Sequence, residues 1–124
     1  MSTNNDTPTI MNIEMEIDIA ATPQAVFDGY VAELINGPGG DLPMTLETWP
    51  GGRWFRDLGN NTGHLWAHVQ SIKPPHLLEI CGPLFMSAPV ANNVIVRIEE
   101  TESGAKLKFA TSVWGKSPMK CAKE

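Results

Sequence analysis

Turn residues divide the stretch from residue 49 to residue 84 into short segments. These turns limit the possible fold more than any other feature of the sequence. Pro50-Gly51-Gly52 and Gly59-Asn60-Asn61 supply the positive φ angles of tight hairpins. The stretch also holds three of the four tryptophans of the chain. We therefore predict consecutive antiparallel strands. Because large aromatic side chains concentrate in so short a sheet, we expect the sheet to line a hydrophobic cavity rather than to carry a polar catalytic cluster.

One strand and one helix are predicted before this stretch. Residues 12–19 alternate strictly between apolar and polar side chains, which is typical of a half-buried strand. Thr22 is a good N-cap, and Pro23 suits the first helical position because its missing amide would have no partner there. The helix is expected to end at Asn36-Gly37. Its apolar stripe consists of Val26, Phe27, Tyr30, Val31 and Leu34.

Six further strands complete the predicted α+β domain. They are expected at residues 44–49, 53–58, 63–72, 77–81, 92–99 and 106–114. Together with the first strand they form a curved antiparallel sheet of six to seven strands. Residues 1–9 are polar and are expected to form a disordered tail, so that residues 10–124 make one domain.

Composition argues against several functional classes. The 9 basic residues are scattered and are outnumbered by 14 acidic ones, which leaves no footprint for nucleic acid. No apolar run approaches the ~20 residues that span a bilayer, and the N-terminus lacks the features of a signal peptide. Cys81 and Cys121 form no metal or redox spacing. We therefore expect a reduced, cytoplasmic protein that contacts no membrane and carries no cofactor.

Three motifs in the strand region are similar to those of a known superfamily. They are Pro-Gly-Gly-Arg-Trp at residues 50–54, Gly-His-Leu-Trp-Ala-His-Val at residues 63–69 and Lys-Pro-Pro-His-Leu-Leu-Glu-Ile at residues 73–80. With the strand and Thr-Pro-initiated helix before them, they resemble the START-like (SRPBCC) superfamily. Within it they are similar to the branch related to the activator of the 90-kDa heat-shock protein ATPase. The resemblance covers roughly residues 10–114.

This resemblance implies a helix-grip fold, in which a curved sheet wraps around a long C-terminal helix and leaves a hydrophobic pocket between them. Members of the superfamily bind lipids, hormones or polyketides, and a few cyclise or hydrate their ligand. In this chain only ten residues follow Trp114, which is enough for two helical turns at most. We therefore expect the long helix to be missing or reduced to a stub. The expectation is a domain truncated at its C-terminus, with an open pocket wall through which copies associate in solution. The alternatives are a subunit that covers this face by association and a marginally folded chain.

Six residues are candidates for lining the cavity: Trp54, Arg56, Trp66, His68, Leu84 and Met86. If Trp54, Arg56, Trp66 and His68 face the same side, Arg56 can orient an acidic group of the ligand. A solvent-facing ion pair is the alternative for Arg56, and core packing is the alternative for the tryptophans. His64 and His68 lie ~13 Å apart along one strand, too far to hold one metal ion together.

Three functional hypotheses follow. The first is a noncatalytic domain that binds a small hydrophobic or amphipathic ligand, because nucleophile motifs and phosphate-binding glycine loops are missing. The second is an enzyme of the polyketide cyclase or dehydratase kind with His68 or Asp57 as the base. The third is a co-chaperone-like module that binds a protein through an exposed face of the sheet.

Overall fold

The computed structural model describes residues 9–36, 43–84 and 90–115, which form one helix and a seven-stranded antiparallel sheet. The sheet is curved, as expected, and its strand order is β1-β7-β6-β5-β4-β3-β2. The elements are β1 (Thr9–Ile19), α1 (Pro23–Asn36), β2 (Thr45–Leu46), β3 (Arg53–Gly59), β4 (Thr62–Lys73), β5 (Leu77–Gly82), β6 (Val90–Thr101) and β7 (Gly104–Gly115). The α+β class and the antiparallel sheet are thereby confirmed.

The helix α1 begins and ends as its sequence predicts. The Thr22 hydroxyl accepts a hydrogen bond from the Ala25 amide at 3.2 Å, which is the N-cap interaction, and Pro23 occupies the first helical position. Val26 and Phe27 are buried. The helix packs against β6, β7 and β2, and we call the face of the sheet that it covers the inner face.

The core lies between α1 and the inner face. Every second residue of the central strands contributes to it, because side chains alternate between the two faces of a sheet. On β6 these residues are Val94, Val96 and Ile98. Other strands add Leu46, Trp54, Ala67, Val69, Leu78, Ile80, Ala105 and Leu107.

Two expectations about the edges of the sheet are wrong. The strand predicted at residues 44–49 is only the two residues Thr45–Leu46, because Trp49 already belongs to a turn in which its carbonyl accepts a hydrogen bond from the Gly52 amide at 2.8 Å. On β1 the apolar row is exposed rather than buried, with Ile13 at 49%, Met15 at 49% and Ile17 at 46%. The reason is that β1 lies at the edge of the sheet, beyond the strands that α1 covers.

Several expectations concern the ends of the chain. Of the tail expected at residues 1–9, Thr9 belongs to β1, and residues 1–8 lie outside the described residues. The helical stub expected after Trp114 also lies outside them, from residue 116 onward. Among the residues that are described, no helix is long and apolar enough to cross a membrane.

Candidate functional site

A β-bulge at Trp66 decides which side chains of β4 reach the inner face. The register between β3 and β4 pairs Trp54 with Ala67 and then Phe55 with Leu65, so Trp66 is an extra residue with no partner of its own. Trp66 and Ala67 both pack against the core as a result, although they are adjacent in sequence. In a regular strand they would point to opposite faces.

The bulge brings Trp54, Trp66 and Arg56 together on the inner face, and we call these three residues the aromatic cluster. The two indole rings meet edge to face, with centroids 5.2 Å apart and an interplanar angle of 78°. This is a favoured geometry for an aromatic pair. The guanidinium carbon of Arg56 lies 5.5 Å from the centroid of the Trp66 ring, within the range of a cation–π contact.

Contacts from α1 and from the residues that follow β5 fix the cluster in place. The indole N–H of Trp54 donates to the Leu34 carbonyl at 3.0 Å, which lies in the last turn of α1, where carbonyls lack partners within the helix. The Leu84 amide donates to the Trp66 carbonyl at 2.7 Å, and the Leu84 side chain packs against the core. Trp54 therefore packs in the core, at 4% exposure, and Trp66 and Leu84 pack against the same core.

His68 lies elsewhere, and the expectation that it shares a face with Trp54, Arg56 and Trp66 is wrong. It pairs with Arg53, one residue before Trp54, and therefore points to the outer face. The physical reason is again the bulge, which shifts the alternation of β4 by one residue at Trp66. The last candidate, Met86, lies outside the described residues.

Arg53, the residue opposite His68, forms an ion pair with Glu47 on the outer face. Arg53 donates two side-chain hydrogen bonds to Glu47, from Nε at 3.0 Å and from a terminal nitrogen at 2.9 Å, and its backbone amide donates a third at 2.9 Å. These hydrogen bonds lower the pKa of Glu47 to about 2, and the charges of Arg53 and His68 add to the effect. Arg53 also lies 4.4 Å from the Phe55 ring centroid. The arrangement ties β2 to β3.

Other potential acid–base or metal-binding groups are dispersed. His64 pairs with Arg56 whereas His68 pairs with Arg53, so the two imidazoles do not share a face. Asp57 is exposed, and its carboxylate accepts a hydrogen bond from the Gly59 amide at 2.8 Å in the β3–β4 hairpin. Within the described ranges, no three His, Cys, Asp or Glu residues stand close enough to hold a metal ion.

Two polar residues near the inner face were not proposed from the sequence as site residues. Asn92 is 3% exposed and donates to the Pro83 carbonyl at 3.2 Å. The sequence indicates the burial of Asn92, because Asn92, Val94 and Val96 occupy alternate positions of β6 and so share one face. Tyr30 packs against the core one turn before Leu34, and burial raises its pKa to about 12. Its hydroxyl therefore stays neutral and able to donate a hydrogen bond at any physiological pH.

Comparison with known proteins finds structures with a similar fold but supplies no function for this chain. No protein-family model matches the chain, and no curated protein matches it. Solved structures do match. An uncharacterised protein from Rhizobium leguminosarum has a TM-score of 0.67 at 20% identity, over 90% of this chain and 82% of that one. A protein of unknown function from Staphylococcus aureus has a TM-score of 0.67 at 12% identity, over 94% and 80%.

A third similar structure is the Mll3558 protein from Rhizobium loti, with a TM-score of 0.61 at 17% identity over 94% of this chain and 88% of that one. At such identities the likeness concerns the fold alone. The chain therefore shares a sheet-dominated α+β fold with bacterial proteins from several genera.

Proposed function

We propose that the chain is a cytoplasmic START-like domain of the helix-grip type, related to the activator of the 90-kDa heat-shock protein ATPase, and that it binds a small hydrophobic or amphipathic ligand on its inner face. The order of the elements supports the fold, because one helix follows the first strand and six antiparallel strands follow the helix. The motifs that carry the resemblance overlap β3, β4 and β5, and the first two of these strands hold the aromatic cluster.

The aromatic cluster is the observation that carries this proposal. Trp66 is partly buried and offers part of its apolar ring, and the edge-to-face contact with Trp54, which is itself 4% exposed, fixes the position of that ring and lowers the entropic cost of binding. A guanidinium group has five N–H donors, so the cation–π contact of Arg56 with Trp66 does not prevent it from donating to an acidic group. A few polar groups set among apolar walls are typical of small-molecule sites.

The test is a titration with two naphthalene probes, 1-anilinonaphthalene-8-sulfonate and the uncharged N-phenyl-1-naphthylamine. Trp49 and Trp114 are 56% and 54% exposed, so replacing both with Phe leaves an emission signal from the cluster alone. We expect saturable binding of both probes with quenching of that emission. Arg56→Met should weaken the sulfonate probe by about tenfold and leave the uncharged probe unchanged, since a hydrogen bond to a charged group contributes ~1.5–3 kcal/mol.

Trp66→Ala should abolish binding of both probes, and Trp114→Ala is the matched control because it removes the same side chain from the exposed end of β7. The proposal is refuted if the double Phe variant shows no saturable site, or if Trp114→Ala reduces binding as much as Trp66→Ala. A circular dichroism spectrum of each variant checks that it folds.

No observation favours the enzymatic alternative in the form suggested by the sequence. The proposed bases were His68 and Asp57, and neither reaches the aromatic cluster: His68 points to the outer face, and Asp57 accepts a hydrogen bond from the hairpin backbone. The exposed apolar row of β1 does support association through the open part of the inner face. We propose that two copies associate there, which light scattering would test as a mass of two chains; a mass of one chain at all concentrations would contradict it.

A further inference from the structure

The strand β1 forms one edge of the sheet and is long and regularly paired. All eleven of its residues pair with β7 without a register shift, which gives an edge about 35 Å long. In the described parts of the chain, no strand pairs with the opposite side of β1. Natural edge strands are protected by charged side chains, Pro or bulges, and the segment Thr9–Ile19 has no Pro and no bulge, so that only Glu14, Glu16 and Asp18 protect it.

The side chains of β1 form two rows of different chemistry. Ile13, Met15 and Ile17 line the inner side and are about half exposed. Glu14, Glu16 and Asp18 line the outer side and are exposed. A hollow of about 400 Å³ borders Glu14 and Glu16 on the side of β7 and β6, where Lys108 and Arg97 also line it.

The neighbouring strand β7 shows which side chains complement the two rows of β1. On β7, Lys106 lies opposite Asp18 and Lys108 lies opposite Glu16. Lys106 Nζ also approaches the Glu16 carboxylate at 3.8 Å. Between and beside the lysines, β7 places the apolar residues Leu107 and Phe109 on the inner side. A strand that alternates basic and apolar residues thus matches β1 on both faces.

A second copy of β1 would not match. In a two-fold antiparallel pair that keeps the faces of the two sheets continuous, any register centred on residues 14–17 sets carboxylates of Glu14, Glu16 or Asp18 opposite one another. Like charges directly opposite each other destabilise a strand pair. The acidic row therefore disfavours self-pairing along this edge and leaves it open to a basic strand.

We propose that the free edge of β1 binds an extended segment of a partner protein in which Lys or Arg alternates with apolar residues, and that this segment adds an eighth strand to the sheet. The backbone hydrogen bonds of strand addition supply affinity, and the alternate side chains supply selectivity. This interaction is independent of the aromatic cluster, which lies on β3 and β4, towards the opposite edge of the sheet.

The probe is a fluorescent peptide with the sequence of residues 104–113, Gly-Ala-Lys-Leu-Lys-Phe-Ala-Thr-Ser-Val. We expect saturable binding in fluorescence anisotropy, weakened by salt because the contacts are exposed charges. Replacing both lysines of the peptide with Glu should reduce affinity at least about tenfold, as expected for two reversed cross-strand pairs.

Two N-methylated isomers of the peptide test whether it binds as a strand. Each carries methyl groups on alternate amides, and the two isomers therefore block opposite edges of the peptide. Strand addition predicts that one isomer binds like the parent peptide and the other does not bind. Equal binding of both isomers would overturn the proposal, because it would show attraction of charges without strand pairing.

The protein variant Glu14→Lys tests the site on the domain. Glu14 lies opposite Ala110, so its replacement removes no ion pair within the described sheet. Glu33→Lys on the exposed side of α1 is the matched control with the same change of net charge. We expect Glu14→Lys to lose binding of the lysine peptide and to gain binding of the glutamate peptide, while Glu33→Lys binds as the parent protein does. Equal effects of the two variants, or no saturable binding by the parent protein, would refute the proposal.

Discussion

The titration of Tyr30 measures how far water is excluded from the space between α1 and the sheet. The chain contains one tyrosine, so the tyrosinate absorbance reports this residue alone. Burial raises its pKa from the usual value of 10.0 to about 12. The folded protein therefore favours the neutral phenol, and the favourable contribution is complete below pH 10 and is lost as pH rises towards 12.

The magnitude follows from the size of the shift. Two pKa units correspond to about 2.7 kcal/mol of stability lost above both pKa values, and roughly half of that is lost at about pH 11. Lysines also titrate in this range, so the change must be separated from theirs. Tyr30→Phe does this, since it keeps the apolar ring and removes only the ionisable hydroxyl.

The assay compares denaturant unfolding of the parent protein and Tyr30→Phe between about pH 9 and pH 11. We expect the difference in unfolding free energy to shift by about 1.4 kcal/mol in favour of the Phe variant over that range. We also expect one tyrosinate transition near pH 12 in the folded protein and near pH 10 in denaturant. A folded-state transition near pH 10, or a difference that does not change with pH, would refute the account of a desolvated hydroxyl.

Two further predictions concern Gly82 of β5 and the ion pair between Arg53 and Glu47 on the outer face. Gly82→Ala should destabilise the domain by about 1–3 kcal/mol, because the new Cβ would lie 2.5 Å from the Trp66 carbonyl oxygen on the backbone of β4. The control Gly29→Ala, in open space on α1, should stabilise it by about 0.5–1 kcal/mol, and urea unfolding measures both; equal effects would contradict the packing argument. In NMR titrations, the Glu47 carboxyl should keep its charge down to about pH 2, and Arg53→Leu should return its pKa towards the usual value of 4.5; an unchanged pKa would exclude the Arg53 contact as the cause.

Local sequence patterns were sufficient for the elements of the fold because capping and alternation are local. The Thr22-Pro23 signal placed the start of α1, and the strand predicted at residues 53–58 is β3 (Arg53–Gly59). Strand order was not available from these patterns, since any strand with an alternating sequence can lie at an edge or in the centre. The burial predicted for the apolar row of β1 failed for this reason.

The composition of the aromatic cluster was partly predictable. Trp54 and Arg56 share a face because they are two residues apart on a regular strand. The same rule applied to β4 gave His68 the face of Trp66, and it failed because the rule holds only where no residue is inserted. Nothing in the sequence around Trp66 marks a bulge, which depends on the pairing with β3.

The bulge also explains why three features distant in sequence are found together at this site. Trp66 and Ala67 both turn towards the core there, and the β4 backbone at these two residues lies close to Gly82 of β5. A side chain at position 82 would collide with that backbone, so β5 ends in a glycine opposite Ala67. Trp54 can then meet the Trp66 ring edge to face while its N–H holds the last turn of α1. The geometry of the proposed binding surface therefore depends on a single extra residue in β4, and a variant that relaxes the bulge should disturb ligand binding before it disturbs the rest of the sheet.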